Sequence, residues 1–149
     1  MRRSLLILSL VPLTACTTDS ASPKPVACTA ETIHSDQPPA WTGAANPPAG
    51  MRWVAGANGY VVGMLFSDPL KSGETDKILW IVRTPRDGNP LQIRAALAQP
   101  QSTVTFTPVP PDSGPGEIYP WTVSVPQPGC WRMNLTWGAL QDVVAVPFT

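Results

Sequence analysis

Charged side chains are scarce. Lys, Arg, Asp and Glu make up 13% of the 149 residues, ten basic against ten acidic, and His34 is the single histidine. A formal charge of zero excludes the cationic footprint of a nucleic-acid binder. Uninterrupted chain is scarce as well: after Cys16 the longest stretch without Pro or Gly is twelve residues, 26–37. A helical bundle or a doubly wound α/β fold needs several longer helices, so both are excluded. No Gly-x-Ser-x-Gly elbow, phosphate-binding Walker loop or His-Glu-x-x-His pattern occurs. What the chain has instead is 19 Pro, 11 Gly and 6 Trp, with a hydrophobic content of 43%. That content argues for an ordered core, and the length suits one domain.

The first sixteen residues read as an address. Met1-Arg2-Arg3 is a short basic start, and Leu5 to Leu13 is an apolar run broken by Ser9 and Pro12. Nine residues cannot cross roughly 30 Å of hydrocarbon, so the run reads as a signal peptide rather than a span. It ends in Leu13-Thr14-Ala15-Cys16, which resembles a bacterial lipobox at all four positions. The resemblance implies cleavage after residue 15 and a diacylglyceryl group on Cys16. Acyl chains on that residue hold a domain on the extracytoplasmic face of the cell membrane without a spanning helix. The competing reading is an ordinary secretory signal with a Cys at its boundary. Residues 16–25, Cys-Thr-Thr-Asp-Ser-Ala-Ser-Pro-Lys-Pro, have the composition of a flexible or semi-extended tether. Loss of Arg2 and Arg3 leaves eight basic and ten acidic groups, so lipid alone accounts for membrane attachment.

Cysteine arithmetic follows from that address. With Cys16 lipidated, Cys28 and Cys130 remain as an even pair in a compartment that permits disulfides. Their bond closes a loop of about 100 residues, for which chain entropy gives about 4–5 kcal/mol. Two buried thiols are the alternative. A metal site is disfavoured by the lone histidine and the distance between cysteines in sequence.

From residue 26 onward, short β-type runs alternate with turn signals. Residues 60–66 and 77–83 are apolar runs, the second (Lys-Ile-Leu-Trp-Ile-Val-Arg) having the look of a central strand buried on both faces. Asp87-Gly88 follows as a hairpin signal. Leu91, Ile93 and Ala95 alternate with polar residues, as do Val104 and Phe106, and Trp121, Val123 and Val125. Pro128-Gly129 suits a type II turn. Trp131, Met133, Leu135 and Trp137 then share a face, and Val144, Val146 and Phe148 close the chain. Seven to nine short strands indicate an all-β fold, an antiparallel, immunoglobulin-like β-sandwich over residues 26–149, with a small barrel as the alternative. Strict alternation places Cys130 opposite Trp131, so the disulfide is expected to clip the N-terminal segment across the outside of a sheet.

The segments Lys77 to Arg83, Pro90-Leu91-Gln92-Ile93, Tyr119-Pro120-Trp121 and Val125-Pro126-Gln127-Pro128-Gly129-Cys130-Trp131-Arg132 resemble a group of uncharacterised bacterial exported proteins and lipoproteins. Their mark is Tyr-Pro-Ser followed by Pro-x-x-Gly-Cys-Trp-Arg. Here Trp121 stands where that group has Ser. The likeness spans the last 75 residues or so and implies a β-sandwich without an assigned activity or site.

Chemistry-bearing residues are few. Ser35, His34 and Asp36 are neighbours in sequence, an arrangement that rarely converges in space, and an exposed His at a strand end is the plainer reading. The carboxylates fall nearly all in loops or at strand ends, where solvated turn-formers belong. Ser67-Asp68 with Glu74 and Asp76 offers oxygen ligands but lacks the spacing of an EF-hand, so an Asp-capped loop is expected there. Trp80, Trp131 and Trp137 lie among inward-facing neighbours and read as core. Trp41 and Trp53 flank a Pro/Gly-rich segment and are the candidate ligand platform, since exposed indoles stack on sugars and anchor interfaces; capping of the open core is the alternative. No cofactor is called for. Three functions fit: a tethered, non-enzymatic interaction domain for an envelope protein, a carbohydrate or small-ligand binder using loop tryptophans, and an inhibitory or stabilising module presenting the Pro-rich loop 108–117.

Overall fold

The computed structural model describes residues 27–29, 31–43, 50–83, 88–112 and 118–149. Among these residues eight strands follow a 3₁₀ turn (Ala40–Thr42): β1 (Arg52–Ala55), β2 (Val61–Leu65), β3 (Asp76–Val82), β4 (Gln92–Leu97), β5 (Ser102–Thr105), β6 (Ile118–Val123), β7 (Gly129–Trp137) and β8 (Leu140–Phe148). They form two antiparallel four-stranded sheets, β1-β2-β3-β6 (sheet A) and β5-β4-β7-β8 (sheet B). The chain changes sheet between β3 and β4, β5 and β6, and β6 and β7. This is an immunoglobulin-like sandwich, with β5-β4-β7-β8 in the order of the sheet that carries strands C′, C, F and G.

Alternation builds the core. Val61, Leu65, Ile78, Trp80, Val82, Ile93, Ala95, Tyr119, Trp121, Val123, Trp131, Met133, Leu135, Trp137, Val144 and Val146 all turn inward and are buried. The three tryptophans assigned to the core, Trp80, Trp131 and Trp137, are 0%, 0% and 2% exposed. Trp121, beside Pro120, is buried as well and meets Phe106 edge-on at 4.7 Å. Gly63 pairs directly with Trp80 across β2 and β3, and a Cβ at Gly63 would fall on the indole ring. A glycine in mid-strand thus makes room for the largest side chain of the core.

One sequence expectation is corrected. Asp87-Gly88 does not close a hairpin: β3 and β4 lie in different sheets, and β3 pairs instead with β2 and β6. Asp87 itself lies outside the described residues. A turn signal fixes a local reversal, but the sheet that the next strand joins is settled by which apolar faces need covering. Asp142, near the start of β8, is only 1% exposed, a buried carboxylate rather than a solvated one.

Candidate functional surfaces

Cys28 and Cys130 form a disulfide with Cα atoms 5.5 Å apart, closing a sequence separation of 102. Cys130 faces outward on β7, opposite the inward Trp131, and pairs in register with Pro147 of β8. The bond is therefore an external clip, unlike the inter-sheet disulfide inside antibody domains. From Cys28 the chain runs as a strap to the edge of β1, where His34 and Trp53 exchange backbone hydrogen bonds of 2.8 and 3.1 Å. There the His34 ring stacks on the Trp53 indole at 4.1 Å, and Trp53 Nε1 donates to the Asp36 carbonyl at 2.9 Å.

The strap belongs to a second apolar cluster on the outside of sheet A. Trp53, Val62, Met64 and Ile81 are buried there, with Trp41, Met51, Leu79 and Ile118 packed against them. Trp41 is carried by the 3₁₀ turn, which Thr42 fastens by bonding the Pro39 carbonyl through both its N–H and its hydroxyl. The two tryptophans of the candidate platform are thus brought into one cluster. Trp53 is 6% exposed with its N–H already occupied, and Trp41 is half-buried. They line the covered outer face of a sheet rather than the open ends of the core.

Asp142 is the residue that sequence reasoning missed. Its Oδ1 accepts from the Asn58 and Val143 N–H groups at 2.9 and 2.8 Å, and its Oδ2 accepts from the Tyr60 N–H at 2.9 Å. The Ala57 N–H donates to the Val143 carbonyl at 2.9 Å alongside. A carboxylate saturated by backbone donors pins the β1–β2 turn to β8. An indentation of about 170 Å³ beside it is lined by Asn58, Asn134, Thr136 and Gln141. The donors lie 82 and 84 residues away in sequence, so no local pattern announces them.

The loop after β2 is capped by Asp side chains as expected. Asp76 accepts from Ser67 Oγ at 2.6 Å and from the Lys71 N–H at 2.9 Å, and Arg52 meets Asp68 at 3.4 Å. Among the described residues no three His, Cys, Asp or Glu side chains gather as a metal site. Phe66, 51% exposed, lies beneath Lys77 Nζ at 4.9 Å. The Pro-rich loop starts from a buried anchor, since Val109 bridges Leu91 by paired hydrogen bonds; residues 113–117 of it lie outside the described part, as does Cys16.

No family model, characterised protein or solved structure matches the chain. One more surface stands out by its chemistry. The outward positions of sheet B carry Gln92, Arg94, Thr103, Thr105, Arg132, Asn134, Thr136 and Gln141 beside Ala96, Cys130, Val143, Ala145 and Pro147, a mostly polar face on the side of the sandwich opposite the covered cluster. Asn134 Nδ2 donates to the Arg94 carbonyl at 3.2 Å, tying β7 to β4 across it.

Proposed function

We propose that the chain is an exported lipoprotein whose β-sandwich is a non-enzymatic binding module. Residues 1–15 are its signal peptide, Cys16 its lipid attachment point and residues 16–25 its tether. The observation that carries this reading is the Cys28–Cys130 bond. Such bonds persist in oxidising, exported environments, and the pairing leaves Cys16, at the end of the lipobox-like segment, as the odd cysteine of three.

An envelope protein is the favoured partner over a sugar. Stacking on a glycan needs an open indole face, and Trp53 spends its ring on His34 and its N–H on Asp36. The groups best suited to acid–base work hold structural posts as well, His34 on Trp53 and Asp142 among three backbone N–H groups. The test is intact-mass analysis of the protein extracted from membranes of cells expressing the full chain. The expected species starts at Cys16 and carries diacylglyceryl mass, and Cys16→Ser releases the domain from the membrane fraction. An unmodified chain, or a Cys16→Ser variant that stays membrane-bound, overturns the reading.

A further inference from the structure

The disulfide fixes more than the strap: it fixes where the tether leaves the sandwich. Cys28 is held to Cys130 on the outer face of sheet B, and from there one arm of the chain runs over β1 and the other leads back to Cys16. Cys16 and Cys28 are twelve positions apart in the sequence, a reach of at most ~40 Å when fully extended. An anchor at Cys16 therefore attaches from the outer face of sheet B, with the outer face of sheet A on the far side of the sandwich.

The charge on that side matches. Arg94 and Arg132 are the only cationic side chains in the four strands of sheet B, and Asp142, turned inward and 1% exposed, is the only carboxylate. Arg94 is exposed, and Arg132 stands one outward position from Cys130. Among the described residues neither forms an ion pair, and Arg132 Nε is buried without a hydrogen-bond acceptor. The two are diagonal neighbours: Arg94 pairs with Asn134 and Ala96 with Arg132. Glu31, three residues beyond Cys28, reaches neither of them as an ion pair. Other carboxylates, Asp36, Asp68 and Asp76, belong to the strap and to the strands and loops of sheet A.

We propose that the outer face of sheet B lies against the bilayer, with Arg94 and Arg132 meeting the phosphates of anionic lipid headgroups. This rests on the reading of Cys16 as the anchor. The acyl chains supply attachment, and the arginines supply orientation: a guanidinium takes two phosphate oxygens at once, and each cation near an anionic surface favours the facing pose roughly fivefold. Arg94 is flanked by Thr105 and Asn134 and Arg132 by Ala96 and Ala145, so no charge competes beside either of them in the sheet.

The test uses the chain from Cys16 onward, which holds every described element, coupled through the Cys16 thiol to a maleimide lipid in vesicles. Chemical coupling makes the result independent of whether cells lipidate Cys16; that question is answered by the intact mass above. Arginine modification by phenylglyoxal is read residue by residue in vesicles of phosphatidylglycerol and phosphatidylcholine, in pure phosphatidylcholine and without lipid. The expected result is modification of Arg94 and Arg132 slowed roughly threefold or more on the anionic vesicles alone, with Arg52 and Arg83 unchanged. The Arg94→Glu variant, at an exposed position, should return Arg132 to its rate without lipid. Equal slowing of all four arginines, an unchanged Arg94, or continued protection of Arg132 in Arg94→Glu overturns the proposal. An unchanged Arg94 also leaves this face open to an acidic protein.

Discussion

At the scale of single residues, Asp142 shows how a charged side chain can be built into a β-strand. Inward positions of β8 are otherwise apolar, and an isolated carboxylate there would be costly. Three backbone N–H groups remove that cost and knit the β1–β2 turn to β8. Asp142→Asn keeps the shape but replaces one acceptor oxygen with a donor. One of the N–H groups then faces an amide nitrogen, and the expected loss is about 1–3 kcal/mol. Asp142→Ala strands all of them and should cost about 2–4 kcal/mol. Gly56→Ala should destabilise through the same site, because its Cβ would fall on the Asp142 carboxylate. Urea unfolding of the variants checks the order; an Asp142→Ala protein as stable as the parent would refute the latch.

At the scale of elements, the strap decides what the tryptophans do. Five of the six, Trp53, Trp80, Trp121, Trp131 and Trp137, are 6% exposed or less, and Trp41 alone is half-buried. Acrylamide should therefore quench a minor component of the fluorescence, and Trp41→Phe should remove that component while leaving the protected emission. Free quenching that survives Trp41→Phe would mean that Trp53 is open after all, restoring the ligand platform. The strands of the core were legible, because Trp131, Met133, Leu135 and Trp137 repeat with period two and their partners do likewise. The outward position of Cys130, and with it the external clip, came from the same alternation. The strap was not legible. Residues 31–43 hold no regular strand beyond the His34 bridge, so no periodicity links Trp41 to Trp53. The arginine face is hidden in the sequence for a related reason: Arg94 and Arg132 are 38 positions apart, and only the β4–β7 register makes them neighbours.

At the scale of the whole molecule, the two outer faces differ because one is covered by the chain's own N-terminal segment. Sheet A carries apolar residues on both sides, and Trp53, Val62, Met64 and Ile81 would meet water without the strap. An open sheet face of that kind invites association. The clip keeps the cover in place by shrinking the freedom of the unfolded chain and by holding the strap's start at β7. Reduction, or the paired substitution Cys28→Ala and Cys130→Ala, should cost about 3–5 kcal/mol and lower Tm by roughly 10–20 °C. Loss of loop closure alone would stop there. If the clip also holds the cover, the reduced protein below its new Tm should bind more of an apolar dye and elute as larger species than the oxidised one. Met64→Lys, placed on the outer face, should suppress that association in the reduced protein. Association untouched by Met64→Lys would point to a surface other than the one the strap conceals.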